Sequence, residues 1–463
     1  MLAFRAKGNP KVQVPVNTEG TIEMKRAGVL FAVLLPVVLA VPLRAQSQPD
    51  FKFTKIDLEL LHQADQLDEY FARNGMVFED EATQKYVESV GVSVLPAGDP
   101  PEHVTWKFRV LRDPFPNAFA LPNGSVYIHT GLLSLMRSEA QLAGVLGHEE
   151  THVLNRHPYL EYRSTRKKMV AINIFAMAGG MAGGYGYGTP SLVIAGISSV
   201  APALLAASVF GYSRELEREA DMRGLAAMEK DGYDPQEMVT TFRLLERSEG
   251  PDSGPGIYSD HPRLEARIQY LTEEIKKDPP TLSSPLVGAG KYSDATGAAF
   301  RHDIGLQIRA VRPRHAVAIA LHLTDKYPTS EHYMLLGEAY RALGGRPQDL
   351  SDDKLSAERK EARKHLSKMT PEEYEKTLLT TPEGKAAWEE NRKQAEDSYR
   401  EAIRLDASNA KAHRGLGFIL DGENKASEAA AEFRSYLSLA PTAWDRAEIQ
   451  KRLDALEPRP GAD

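Results

Sequence analysis

Residues Ser138 to His157 read SEAQLAGVLGHEETHVLNRH, and no other stretch constrains the fold as much. Leu142, Val145, Leu146 and Val153 recur at helical spacing behind a Ser138/Gln141 capping-box pattern, so His148, Glu149 and His152 fall inside an amphipathic helix. Imidazoles four residues apart project from one helix face about 5–6 Å apart, which suits two ligands on one tetrahedral Zn2+. Glu149 sits one residue round, where a carboxylate can take a proton from water without binding the ion. The alternative is a helix with two stray histidines and a surface glutamate. The apolar residues around the motif argue against it, because uncompensated polar groups are costly there.

Zinc of this kind needs a third protein ligand and an open position. The chain has no cysteine, so that ligand is His, Asp or Glu, and disulfides are excluded. A metzincin arrangement is ruled out, since position 158 is Pro and position 155 is Asn. On a continuous helix His157 lies about 140° round from His152 and reads as structural or solvated. Tyr212 to Glu229 (YSRELEREADMRGLAAME) offers a second helix, capped by Ser213, with Glu217, Ala220, Asp221, Gly224 and Met228 on one stripe. Glu217 is the expected third ligand and Asp221, one turn on, the acceptor that fixes a ligand imidazole; the alternative for the pair is a buried salt bridge.

Several further features organise the chain. Lys25-Arg26 precedes an uncharged apolar run from Ala27 to Leu43, the layout of a secretory signal peptide over 1–45 with translation starting at Met24 and cleavage near Ala45. The competing reading is a membrane anchor, against which stand the short run, Pro36 and Pro42. An amphipathic helix is expected from Phe51 to about Val90, a strand over Val104 to Leu111, and a hairpin of Asn117 to Leu121 and Ser125 to Thr130 around Pro122-Asn123-Gly124. Helices dominate afterwards. Asp278 to Gly297 is rich in Pro, Gly and Ser and reads as a linker over 277–297 between a peptidase-like domain, 51–276, and a helical domain, 298–457. In the latter, Leu416, Gly417, Ala429, Phe433 and Pro441 keep the spacing of a tetratricopeptide repeat, with echoes at Tyr333 to Gly344 and Ala395 to Asn409 and a charged insertion over 346–393. Such arrays form concave surfaces for polypeptide partners. With 57 Lys+Arg against 64 Asp+Glu, nothing suggests nucleic acid.

Taken together, HEETH (His148 to His152), SRELEREAD (Ser213 to Asp221), NAFALPNG (Asn117 to Gly124) and DHPRLEARI (Asp260 to Ile268) resemble the gluzincin zinc peptidases that include HtpX and the CaaX-prenyl endopeptidases. The signal peptide and repeats resemble its periplasmic branch. The resemblance implies one Zn2+ per chain on His148, His152 and Glu217, with Glu149 as catalytic base. It implies that a substrate peptide pairs along the edge strand of Asn117, Ala118, Phe119 and Ala120. It also implies that His261 can occupy the open zinc position and hold the enzyme latent; the alternative is a turn histidine.

The expected fold class is mainly α: an α+β peptidase domain with a small sheet and the HExxH helix, followed by an all-α tetratricopeptide-repeat array. The expected function is that of a periplasmic zinc endopeptidase acting on polypeptides in envelope or outer-membrane protein quality control or assembly. Its repeats would recruit client proteins or the outer-membrane assembly machinery. Two alternatives stay open, a chaperone or scaffold with a latent zinc site and a membrane-integral protease. The latter turns on Met169 to Ser213, which carries no charge but is broken by glycines and prolines. A helical lid, resting peripherally on a membrane surface, is the reading preferred over a transmembrane hairpin.

Overall fold

The computed structural model describes residues 51–95, 100–163, 212–248, 264–279, 284–310, 312–346 and 371–457, and Phe53–Asp463 forms one compact unit. The signal region, His261, residues 169–211 of the uncharged segment and residues 347–370 of the insertion lie outside the described residues. Among the described residues no helix is long and apolar enough to cross a membrane.

The amphipathic run expected from Phe51 to Val90 is two helices, α1 (Lys55–Arg73) and α2 (Glu81–Val94). Gly75, at φ +62, turns the chain between them, and Val77 pairs antiparallel with Leu111. Three strands follow: β1 (Lys107–Leu111), β2 (Ala118–Ala120) and β3 (Ser125–His129). β2 and β3 form the expected hairpin, with Phe119 opposite Tyr127, and β1 runs parallel to β3 on its other side. β2 is therefore an edge. Next come α3 (Thr130–Leu135) and α4 (Glu139–Leu154), which carries the HExxH sequence. Ser138 Oγ accepts from the Gln141 backbone N–H at 3.2 Å, while Gln141 Oε1 accepts from the Arg137 backbone N–H at 2.6 Å. α5 (Arg214–Lys230), α6 (Gln236–Ser248) and α7 (Leu264–Lys277) complete this half.

The second half is entirely helical among the described residues. It comprises α8 (Ala289–Arg309), α9 (Pro313–Lys326), α10 (Ser330–Leu343), α11 (Pro371–Leu378), α12 (Pro382–Leu405), α13 (Ala410–Gly422), α14 (Ala426–Leu439) and α15 (Arg446–Leu456). α13 and α14 form a hairpin closed by Leu416, Ala429 and Phe433, all buried, and Tyr399 of α12 packs fully buried beside it. Among the described residues the architecture is thus mainly helical with one small sheet.

The stretch read as a linker is not a free connector. Leu286 pairs with Tyr233, and α8 begins at Ala289, inside that stretch. Tyr292, Ala299, Phe300 and Ile304 form an apolar stripe, and burying it overrides the Gly/Ser composition. Tyr292 donates to the Leu133 carbonyl at 2.6 Å, and Lys291 Nζ lies 2.8 Å from Glu139 at the start of α4. One hydrophobic core consequently runs through both halves.

Asp303 of α8 is a buried joint in this contact. It accepts from Ser134 Oγ at 2.6 Å, Thr130 Oγ1 at 3.1 Å and Gln307 Nε2 at 3.0 Å. Burial, only partly opposed by these donors and Arg312, pushes its carboxyl up to about 6. A folded-state value above the unfolded one means stability present below about pH 4 and lost as pH rises through 6. Asp303→Asn is expected to remove that loss and to be more stable than the parent by roughly 2 kcal/mol at pH 7. Melting curves of both proteins from pH 4 to 7 check this, and parallel profiles would contradict it.

Candidate metal centre

α4 and α5 cross at small residues. A methyl group on Gly224 would meet the His148 backbone nitrogen at 2.9 Å and so would force the helices apart. This close approach sets the stripe of α5 carrying Glu217 and Asp221 against the histidine face of α4. His148, His152 and Glu217 are each no more than 2% exposed, and one ligand atom from each falls within 4.8 Å of the others. The Nε2 atoms of His148 and His152 are 3.0 Å apart. Glu217 Oε2 lies 3.7 Å from His148 Nε2, and its Oε1 lies 3.7 Å from His152 Nε2.

These separations fit a zinc ion. Ligands at ordinary Zn–N and Zn–O lengths on tetrahedral corners are about 3.3 Å apart, which the three observed distances bracket. The donor set, two neutral imidazoles and a carboxylate, is also one that zinc accepts.

The surrounding hydrogen bonds aim the lone pairs. Asp221 Oδ1 lies 2.9 Å from His148 Nδ1, so the proton belongs on Nδ1 and Nε2 offers its lone pair to the centre. His152 Nδ1 lies 3.0 Å from His157 Nδ1, and His157 Nε2 faces Glu219 at 3.5 Å. A proton on His157 Nε2 toward Glu219 makes its Nδ1 an acceptor, which in turn places the His152 proton on Nδ1. Burial pushes His157 down to about 4, so it is neutral near pH 7. Both candidate ligand rings then present Nε2 to Glu217. Tyr212 stacks on His152 with ring centroids 3.9 Å apart.

Arg267 of α7 closes the far side. It is fully buried, donates through Nε and Nη2 to Asp221 at 2.8 and 2.5 Å, and lies 3.1 Å from Glu217 through Nη1. Its guanidinium also lies over Phe242, 4.2 Å from the ring centroid, and Tyr270 donates its hydroxyl to Asp221. Burial alone would raise the Asp221 pKa, but Arg267 and His148 outweigh it and hold the carboxyl well below the usual range. Burial likewise opposes protonation of His148, yet Asp221 draws its pKa up overall. Glu217 therefore takes part in a buried salt bridge and also faces both imidazoles.

Glu149 is 4% exposed on α4 beside His148. Asn117 to Ala120 lie on the sheet edge that packs against α4, and each is at most 2% exposed. The Leu121 N–H reaches the Ser125 carbonyl and the His129 N–H reaches the Asn117 carbonyl. In this register the peptide groups of Ala118 and Ala120 point away from β3.

Two neighbours of the three donors were not placed beside them from sequence. His157 enters because α4 ends at Leu154 and Arg156 adopts φ +59, so the continuous-helix angle does not apply. Arg267 carried a readable signal: a lone charge on the stripe of Leu264, Leu271 and Ile275.

Comparison with known proteins agrees with this geometry. Residues 81–275 match Peptidase family M48. A Vibrio cholerae protein provisionally named as a beta-barrel assembly-enhancing protease is 30% identical over 234 residues, covering 50% of this chain and 46% of that protein. The beta-barrel assembly-enhancing protease of Escherichia coli (strain K12) is 24% identical, covering 48% and 46%. Mitochondrial metalloendopeptidase OMA1 of Schizosaccharomyces pombe is 30% identical, covering 36% and 46%. The chain spans about half the length of these relatives. Residues 81–275 thus carry the similarity to Peptidase family M48, and the same half of the chain carries the similarity to these proteases.

Proposed function

We propose that this chain is an M48-type zinc-dependent endopeptidase acting on polypeptides during assembly or quality control of envelope proteins in the periplasm. The observation that carries the reading is the convergence of His148, His152 and Glu217, buried and 3.0 to 3.7 Å apart, beside Glu149. Zinc held by these three would supply Lewis-acid polarisation of the scissile carbonyl and of water. Glu149 takes the proton from the attacking water and returns it to the leaving nitrogen. Asp221 and Arg267 fix the orientation of His148 and Glu217, and His157 with Glu219 fixes His152. The names of the beta-barrel assembly-enhancing relatives support an outer-membrane role, and the apolar segment after Lys25-Arg26 supports export.

Chelation with 1,10-phenanthroline is expected to abolish cleavage of an unfolded protein such as casein, and stoichiometric zinc to restore it. Cleavage indifferent to the chelator would overturn the reading.

The burial of the β2 edge favours a second reading. Ala118, Phe119 and Ala120 are at most 2% exposed, so a substrate strand can pair there only after the edge is uncovered. A scaffold whose site stays closed would show this arrangement. It would also retain its cellular function without Glu149.

A further inference from the structure

The repeat half contains a cavity of about 420 Å3 that the peptidase chemistry does not use. It lies between α10, α12, α13 and α15, and among the described residues its lining carries four arginines, Arg341, Arg392, Arg414 and Arg452, and no carboxylate. We propose that this cavity binds an acidic segment of a partner polypeptide, with its Asp and Glu carboxylates taken by the four guanidinium groups.

The arginines are held in place before any ligand arrives. Arg392 lies over Trp388, 4.9 Å from the ring centroid, and Arg414 and Arg452 lie 5.0 and 5.2 Å from that of Phe418. Each also has a carboxylate outside the lining: Glu338 for Arg341, Glu423 for Arg392, Asp445 for Arg414 and Asp421 for Arg452. A guanidinium has five N–H donors, and these contacts use one or two of them. The remainder serve an incoming carboxylate in the planar, bidentate manner for which arginine is suited. Arg392 Nε is buried and without a hydrogen-bond partner, a donor that such a carboxylate can satisfy. The aromatic floor adds apolar area for the peptide between its charges. Each guanidinium is already balanced by a carboxylate outside the lining, so the selection for an anionic partner comes from the remaining N–H donors that converge on the cavity and not from excess charge.

The test uses the full chain and a short fluorescein-labelled peptide alternating Glu and Asp with Ser and Ala, read by fluorescence anisotropy. Its Gln/Asn analogue serves as the uncharged control. The acidic peptide is expected to bind at least about tenfold more tightly than the analogue, with affinity falling as salt is raised. Arg392→Gln with Arg452→Gln should remove about tenfold or more of that affinity. This pair spares the fold, because Glu423 keeps Lys425 at 2.6 Å and the partners of Arg452 are partly solvated. Arg434→Gln, outside the cavity, should change nothing. Should the double variant unfold, Arg452→Gln alone is expected to weaken the acidic peptide and not the analogue. Equal binding of the two peptides, or binding unaffected by either arginine variant, would overturn the proposal. So would arginine-dependent binding to vesicles of phosphatidylcholine and phosphatidylglycerol without peptide binding, which would assign the cavity to a membrane surface.

Discussion

Glu149→Gln is expected to lower kcat/KM for casein by about 10²- to 10⁴-fold while leaving bound metal unchanged. The two side chains have nearly the same size, so the buried position beside His148 keeps its packing; what disappears is the ability to accept a proton. The three donors that converge, His148, His152 and Glu217, do not include Glu149, so the variant should bind zinc as the parent does. Glu150 is the internal control. It is buried on α4 with burial and the nearby Asp231 raising its pKa well above the ordinary carboxylate value, and it is not among the three converging donors. Glu150→Gln should therefore retain activity. Full activity in Glu149→Gln would remove the general base from the account, and a cellular function that survives complete loss of cleavage would favour the scaffold.

The second large effect is expected at Arg267. Methionine there preserves much of the volume and the contact with Phe242, but strips Asp221 and Glu217 of the cation that each of them touches. Buried carboxylates without a partner are costly, and the expected destabilisation of the metal-free protein is about 3–5 kcal/mol. Zinc bound by Glu217 restores part of the missing charge, so the gap between parent and variant should narrow in the metal-loaded protein. Arg267→Lys should rescue little, because an ammonium cannot reproduce the fork that reaches both carboxylates. Melting of parent and variants with and without chelator checks all three statements. A loss below about 1 kcal/mol would mean that Arg267 is a bystander.

The part of the site within two helices was legible in the sequence, and the part assembled across turns was not. HEETH and the Glu217/Asp221 stripe each lie on one regular helix, where periodicity tells which residues share a face. The hairpin of β2 and β3 was legible for the same reason, since turn chemistry and alternation are local. His157 is structural, one of the two readings its position allowed, but its contact with His152 could not be read, because that required knowing that the helix breaks at Asn155 and that Arg156 takes a left-handed conformation. The parallel pairing of β1 with β3 is non-local and leaves no mark on either strand. At Ala289, glycine- and serine-rich composition pointed to a linker, whereas Tyr292, Phe300 and Ile304 bury a helix against the peptidase half. Arg267 could have been found by the argument applied to Glu217, a charge on an apolar stripe.

The most direct test of the metal centre is the zinc content of the purified chain, measured by inductively coupled plasma mass spectrometry beside Glu149→Gln and Glu217→Ala. The account predicts one zinc per chain in the parent and in Glu149→Gln, and a large loss in Glu217→Ala. A parent that binds no zinc, or a Glu217→Ala protein that holds it as firmly as the parent, would contradict it.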